Sequence, residues 1–284
     1  MFESVSRSFE LVKASFGVLR KDKEIMLFPI ISGVVCILVS ISFIIPLFVA
    51  GGFGTGETNY LGYIVLFLYY LISYFIVIFF NTGLVACAHI RLKSGDPTFS
   101  DGIKAARKNI KKIFVWALIS ATVGLLLRMI AERSGTLGRI IVSMIGMAWS
   151  LLTFFVIPVM IFENQSPVES VRKSGSLFKK TWGENVVGQI SIGLFFGILA
   201  VLGGIVGIIL LILASQVGSI AFLPVIILMV LYFLTIAIVN ASLDGIFKTA
   251  LYIYATEGKT PSAYSEDTIK NAFKERKSHK FGNI

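Results

Sequence analysis

Polar residues at four-residue spacing near the C-terminal end of the chain are the first candidates for chemistry. Asn240, Asp244 and Lys248 are four positions apart, so on a helix they would share one face. Asn81 and His89 form a similar pair in an earlier apolar segment. An amide, a carboxylate and an ammonium group on one face could bind a polar substrate. Ionisable groups inside a membrane usually mark function, so the depth of these residues decides their interpretation.

The depth of Asp244 follows from its distance along the helix. Asp244 lies 20 residues after Pro224, or about 30 Å, which places it at the membrane surface. Two interpretations stay open. One is an ion pair between Asp244 and Lys248 that stabilises a long helix where it leaves the lipid. The other is a polar, substrate-binding vestibule at the mouth of a helix bundle, formed by Asn81, His89, Asn240, Asp244 and Lys248.

Known catalytic motifs are missing from the sequence. The chain has two His and two Cys, and it contains no His-Glu-x-x-His, no Gly-x-x-x-x-Gly-Lys-Ser/Thr and no Gly-x-Ser-x-Gly pattern. Zinc proteolysis, ATP hydrolysis and Ser-His catalysis therefore lack their usual groups. We predict that the protein is not an enzyme and that it has no metal site and no cofactor.

The composition indicates a membrane protein. Of 284 residues, 56% are hydrophobic and only 15% are charged, and the mean hydropathy is +0.85. A soluble domain would have roughly a quarter charged residues. Six apolar runs are long enough to cross the membrane as helices: Met26 to Val49, Leu61 to Cys87, Ile113 to Ala131, Leu137 to Phe162, Val186 to Ala214 and Ile220 to Phe247. The predicted fold class is an all-α polytopic membrane bundle of six transmembrane helices in three hairpins.

The basic residues lie unevenly about the six spans. One side has 23 of the 26 Lys and Arg residues, whereas the other has only Arg128, Arg133 and Arg139. Positive charge is retained in cytoplasmic loops, so we expect a multi-pass protein of the cytoplasmic membrane with both termini in the cytoplasm. A basic rim facing anionic lipid holds +9 of the net charge of +10, and no nucleic-acid partner is needed.

A Pro that follows a helix-capping residue recurs after each even-numbered span: Asp96-Pro97, Ser166-Pro167 and Thr260-Pro261. Such pairs are typical helix starts. The recurrence predicts a threefold internal repeat in which an in-plane amphipathic helix on the cytoplasmic side precedes each hairpin. The units are approximately residues 1–95, 96–165 and 166–255. We assign 1–255 to a single membrane domain and 256–284 to a cytoplasmic tail with a short amphipathic helix, a weaker fourth copy.

The amphipathic segments have an apolar stripe flanked by basic residues. In the first segment, Phe2, Val5, Phe9, Val12, Phe16 and Leu19 recur at steps of three and four. Such a stripe suits a helix lying among lipid headgroups, although a helix packed on its own bundle would show the same pattern. The candidate ligands of anionic lipid headgroups are Arg7, Lys13, Arg20, Lys104, Lys108, Lys111, Arg172 and Lys179.

Small residues and prolines inside the spans suggest packing features. Span five contains Gly193-x-x-x-Gly197 and Gly203-x-x-x-Gly207, a spacing that lets helix backbones approach closely. This contact could form within the chain or join two copies in a homo-oligomer. Pro46 and Pro158 lie within spans, where each can kink its helix.

The N-terminal residues carry a family resemblance. Ser8 to Leu11, Lys13 to Phe16, Val18 to Glu24 and Leu27 to Pro29 resemble the start of an uncharacterised family of prokaryotic six-span integral membrane proteins. The layout is also distantly similar to the membrane domain that precedes some glycerophosphodiester phosphodiesterases. The resemblance implies a membrane fold and supplies no catalytic residue.

The sequence favours a lipid-associated structural or accessory protein, whose partners are anionic lipid headgroups on the cytoplasmic side. The alternative is a transporter or channel for a hydrophobic or amphipathic solute. Those two functions differ in their use of Asp244, which only a transporter would need at its binding site.

Overall fold

The structure is a computed structural model, and it describes residues 2–49, 60–182, 192–218, 221–261, 263–266 and 269. These residues are almost entirely helical and contain no strand. Six helical segments are long and apolar enough to span a membrane: Lys23–Val49, Tyr60–Leu92, Ile110–Arg133, Thr136–Phe162, Phe195–Gln216 and Phe222–Glu257. The prediction of an all-α, multi-pass membrane protein is confirmed.

The described residues form a short 3₁₀ turn, Lys23–Met26, and a series of α-helices. The helices are α1 (Phe2–Lys21), α2 (Leu27–Val49), α3 (Tyr60–Leu92), α4 (Phe99–Lys108), α5 (Ile110–Arg133), α6 (Thr136–Leu152), α7 (Val156–Phe162), α8 (Pro167–Trp182), α9 (Ile192–Val217) and α10 (Phe222–Glu257). Their contacts divide the chain into two compact units. The central unit is Asp22–Phe178, and the terminal unit combines α1 with the chain from Lys179 onward.

Helix α3 is the core element of the central unit. It packs against α2, α4, α5 and α7, and residues 82–88 on it are buried on every side. The fully buried Ile113, Ala117 and Val156 belong to one apolar cluster with Ile78 of α3. Complete burial of a helix segment requires neighbours on all its faces, which explains why this part of α3 lacks charged residues.

The fourth span is broken near the middle of the predicted run. Helix α6 ends at Leu152 and α7 begins at Val156, with turn residues between them. Pro158 explains the break, because it donates no hydrogen bond to the carbonyl of Phe154 four positions earlier and its ring crowds that group. The predicted effect of Pro158 is therefore present. Pro46, by contrast, lies inside the uninterrupted helix α2.

In the terminal unit, α9 and α10 form a hairpin against which α1 packs. A Cβ atom on Gly203 would lie 2.7 Å from the hydroxyl oxygen of Tyr232 and would also meet its ring, so glycine makes room for this side chain of α10, and a Cβ atom on Gly207 would meet the flexible side chain of Met229. Tyr232 of α10 donates a hydrogen bond of 2.7 Å to the carbonyl of Leu199. The second Gly-x-x-x-Gly pair of span five, Gly203 and Gly207, is therefore used within the chain. Association of two copies through span five stays a prediction.

Two of the three predicted Pro-marked helix starts are wrong in detail. Ser166 and Pro167 open α8 as predicted. Helix α4 instead begins at Phe99, because Thr98 accepts the N–H of Asp101 and the Asp101 carboxylate accepts the N–H of Thr98. Pro261 is followed by a turn, closed by a hydrogen bond of 2.9 Å from the Tyr264 N–H to its carbonyl.

Candidate functional site

Helices α1, α4 and α8 share one pattern of burial. A small residue with no exposed surface stands at the centre of the buried face in each: Ser15, Ala106 and Ser174. The residues four positions before and three after it are buried as well: Leu11 and Val18 in α1, Gly102 in α4 and Asn109 at its C-terminal cap, and Ser170 and Leu177 in α8. Spacings of four and three place these residues on one side of each helix. The three helices therefore use the same register to pack on protein.

Charged residues recur in this same register. An acid stands five positions before the small residue: Glu10, Asp101 and Glu169. A cation stands two positions before it: Lys13, Lys104 and Arg172. Two adjacent cations follow it by five and six positions: Arg20 and Lys21, Lys111 and Lys112, Lys179 and Lys180. All nine cations are exposed except Lys112, which is half-buried.

The predicted headgroup ligands fall largely on these repeated positions. Six of the eight occupy them, and Lys108 is also exposed on α4. Arg7 lies in α1, but its side chain is outside the described part of the structure. Aligning the three segments on the acid, the small residue and the paired cations reveals the shared register in the sequence. The prolines before these segments do not reveal it, because they do not stand at the same position relative to the small residue. Lys21, Lys112 and Lys180 are the cations that the sequence reasoning missed.

The acids of α4 and α8 cap their own helices. Hydrogen bonds from the hydroxyl and N–H of Thr98 hold the pKa of Asp101 below its usual value. Those from Ser166 do the same for the pKa of Glu169, and the charge of Arg172 adds a weaker effect. Lys104 lies 3.7 Å from Asp101. The first cation of the register therefore has a carboxylate of its own helix beside it in these two copies.

The small buried residue anchors its helix by a hydrogen bond in two copies. The hydroxyl of Ser15 lies 2.7 Å from that of Tyr264, and burial raises the pKa of this tyrosine. Ser174 accepts a hydrogen bond of 2.9 Å from the N–H of Phe155, one of the residues in the break of the fourth span. Polar contacts buried at this register thus join α1 to the C-terminal segment and α8 to the broken span.

The buried face of α1 differs from the apolar stripe predicted from the sequence. Leu19 of that stripe is buried against protein, whereas Phe16 is 44% exposed. Ser15, which is polar, lies at the centre of the buried face. The described part of α1 therefore packs on its own bundle with one face and presents part of the stripe outside it.

Residues that carry the N-terminal resemblance join α2, α3 and α4 at one end of the central unit. Asp22 forms an ion pair with Arg91, which also contacts Asp96. Glu24 accepts a hydrogen bond of 2.8 Å from the N–H of Phe99, the first residue of α4. Asp22 and Glu24, two acidic residues of the N-terminal segment, therefore have a structural role at the start of the first span.

Phe28 fills the space between α3 and α4 at the same junction. It has no exposed surface, and its ring centroid lies 4.7 Å from that of Phe99. A Cβ atom on Gly102 would lie 2.7 Å from the carbonyl oxygen of Gly83 and would also meet the Phe28 ring. Glycine at both positions therefore permits this close helix crossing.

The predicted vestibule residues are divided between the two units. In the terminal unit, Lys248 forms an ion pair of 2.7 Å with Asp244, and both side chains are about one-third exposed. Asn240 has a buried side-chain oxygen with no hydrogen-bond partner among the described residues. In the central unit, Asn81 is half-buried, and the ring of His89 stacks on Phe162 at 4.0 Å. The structure thus brings together Asp244 and Lys248.

The cation of the third span has partners at the opposite end of the central unit. Arg128 pairs with Glu132 at 2.6 Å and donates a hydrogen bond of 3.0 Å to the hydroxyl of Tyr70. Among the described residues, no three His, Cys, Asp or Glu side chains lie close enough to share a metal ion.

Comparison with known proteins identifies a family without an assigned activity. No curated protein matches the sequence. Residues 60–262 match the model of a family described as a family of unknown function, DUF6159. This region contains α3 to α10 and begins after the N-terminal segment between Ser8 and Pro29 that resembles an uncharacterised membrane-protein family. The chain therefore belongs to the DUF6159 family of uncharacterised membrane proteins.

Proposed function

We propose that this protein is a lipid-associated structural or accessory protein of the cytoplasmic membrane, and that it is not an enzyme. In this proposal α1, α4 and α8 are amphipathic helices at the cytoplasmic surface, where their cations bind anionic headgroups. Their shared register supports a threefold internal duplication, with one such helix ahead of each hairpin.

The observation that carries the proposal is the exposed surface formed by Phe16, Arg20 and Lys21 at the end of α1. Phe16 is 44% exposed, and both cations are exposed. Arg20 lies four positions after Phe16 on the same face of the helix, about one turn away, and Lys21 is the next residue. An aromatic ring beside two cations suits the boundary of acyl chains and headgroups, where each cation contributes about 1 kcal/mol.

Lipid selectivity of the full-length protein tests this proposal. The protein is purified in a neutral detergent, and its melting temperature is measured with added phosphatidylglycerol or phosphatidylcholine. We expect the anionic lipid to stabilise the protein more, and the double variant Arg20→Gln/Lys21→Gln to lose much of that difference. The matched control Arg133→Gln/Arg139→Gln removes two exposed cations beside the turn between the third and fourth spans and should retain it. Equal stabilisation of the wild-type protein by both lipids would contradict the proposal.

Orientation can be tested separately with single cysteines in a chain that has Cys36 and Cys87 replaced. Ser100→Cys lies on α4 and Gly135→Cys lies in the turn between α5 and α6, and both positions are exposed. An impermeant maleimide applied to intact cells should label position 135, and it should label position 100 only after permeabilisation. The reverse labelling pattern would place α4 on the outer side of the membrane and contradict the proposed orientation.

A transporter or channel is the second candidate, favoured by one observation. The side-chain oxygen of Asn240, four positions before Asp244, is buried and has no hydrogen-bond partner in the part of the chain that the structure describes, so a polar ligand could complete its hydrogen bonding. Because the transported solute is not identified, the test is a screen of candidate solutes. The melting temperatures of the wild-type protein and of Asp244→Asn are measured with each solute. A solute that stabilises the wild type and not the variant would support transport. A solute that stabilises both equally would exclude Asp244 from binding.

A further inference from the structure

We infer that three pairs of adjacent cations, which end α1, follow α4 and end α8, are the sites that bind phosphate groups of anionic phospholipids: Arg20 and Lys21, Lys111 and Lys112, and Lys179 and Lys180. This inference rests on the proposed lipid function. It assigns lipid binding to the cations that stand five and six positions after the small buried residue of the shared register. The first cation of the register, represented by Lys13, Lys104 and Arg172, is excluded from that role.

Two of the three pairs stand at the start of a membrane span, and the third ends the helix that precedes the fifth span. Arg20 and Lys21 end α1, which is followed by the span beginning at Lys23. Lys111 and Lys112 lie in the first turn of α5, which is itself a membrane span. Lys179 and Lys180 lie in the last turn of α8, ahead of the fifth span. Headgroup phosphates occupy the depth at which a span begins, so the first two pairs are placed to meet them, and the shared register assigns the same role to Lys179 and Lys180.

The first cation differs from the pairs because it follows an acid of its own helix by three positions, whereas Asp22 and Glu24, which follow Lys21, contact Arg91 and the N–H of Phe99 instead. Lys104 lies 3.7 Å from Asp101, and Arg172 stands three positions after Glu169 on α8. In α1 the same register places Glu10 three positions before Lys13. A carboxylate one turn away offsets the charge of the first cation and repels a phosphate.

Each pair has at least one exposed cation. Arg20, Lys21, Lys111, Lys179 and Lys180 are exposed, whereas Lys112 donates a hydrogen bond of 2.5 Å to the side-chain oxygen of Asn164. Adjacent residues on a helix diverge by about 100°, so a pair reaches phosphates on two sides of the helix. In α1 the exposed Phe16 lies one turn before Arg20. Apolar surface beside the cation favours a lipid over free inorganic phosphate.

Two triple variants of the full-length protein separate this inference from the general proposal. Arg20→Gln/Lys111→Gln/Lys179→Gln removes one cation from each pair, and Lys13→Gln/Lys104→Gln/Arg172→Gln removes the same charge from the first position. Native mass spectrometry in neutral detergent measures the affinity for phosphatidylglycerol, with phosphatidylcholine and inorganic phosphate as comparison ligands. We expect the first variant to bind phosphatidylglycerol about fivefold more weakly at each site and the second to change by less than about twofold.

A charge-conserving variant is the control for loss of folding. Arg20→Lys/Lys111→Arg/Lys179→Arg should retain wild-type affinity. Equal losses in the two glutamine variants, or a larger loss in the second, would overturn the assignment while leaving lipid association intact. Lack of any preference for phosphatidylglycerol in the wild type would overturn the proposed function itself. Competition by inorganic phosphate at the same concentration as the lipid would overturn the assignment to a lipid.

Discussion

The hydroxyl groups of Ser15 and Tyr264 lie 2.7 Å apart, although 249 positions separate these residues in the chain. Both residues are buried, and so are Pro261 and Ile269 beside Tyr264. The ring of Tyr264 also lies 6.5 Å from that of Phe247 on α10. The segment after the last span therefore packs with the N-terminal helix and contributes to the terminal unit.

Substitution of Tyr264 should lower the free energy of unfolding in two steps. Tyr264→Phe removes only the hydrogen bond and should cost about 1 kcal/mol. Tyr264→Ala also empties the space of the ring and should cost about 3 kcal/mol or more. Denaturant titration in detergent measures both values. Tyr60→Phe is the control, because Tyr60 is 92% exposed and should show no change. Wild-type stability in the Ala variant would show that the tail does not hold α1.

Ser174 should be more important for stability than its neighbour Ser170, although both are fully buried. Ser174→Ala leaves the N–H of Phe155 buried without its acceptor and should cost about 1–3 kcal/mol. Ser170 donates only to the carbonyl of Ser166 in its own helix, and that carbonyl keeps the backbone bond from the Ser170 N–H. Ser170→Ala should therefore change the free energy of unfolding much less. Similar values for the two variants in the same denaturant titration would argue against a specific role for Ser174.

The ion pair between Asp22 and Arg91 should stabilise the junction of α2, α3 and α4. The Asp22 side chain is 8% exposed, so Asp22→Asn leaves Arg91 without its buried partner and should cost about 3 kcal/mol. Asp96 contacts the same arginine but is 93% exposed, so Asp96→Asn should cost less than about 1 kcal/mol. Thermal unfolding in detergent measures the difference. A larger effect of the Asp96 variant would reverse this assignment.

The capping acids should make stability depend on pH. The pKa values of Asp101 and Glu169 are lower in the folded protein than in the unfolded chain, because the charged carboxylates accept hydrogen bonds. Their contribution is therefore present above the unfolded pKa values and is lost as pH falls through the folded ones.

Melting temperatures between about pH 6 and pH 2 test this dependence. The double variant Asp101→Asn/Glu169→Gln should be less stable than wild type near neutral pH, with the difference shrinking in acid. Glu10→Gln is the control, because α1 continues ahead of residue 10 and leaves no helix start to cap. A constant difference between the double variant and wild type across this range would contradict the prediction.

Some features could be predicted from the sequence because they depend on local composition. About 20 apolar residues form a helix in lipid wherever they occur, so six spans were predictable without knowledge of their neighbours. The capping box of Ser166 and Glu169 was also predictable, because its partners are three positions apart. At Asp96 and Pro97 the same reasoning failed, since a second capping pair, Thr98 and Asp101, lies two residues further and competes for the helix start.

The sequence by itself determined the helical class, the six spans and the concentration of cations on the segments outside them. Only the tertiary structure decided which face of each basic helix is buried, because an apolar stripe can face lipid or protein with similar periodicity. The same holds for the contacts of Ser15 with Tyr264, Ser174 with Phe155 and Asp22 with Arg91. Such contacts depend on how helices rotate and pack against each other, which local residue preferences do not specify.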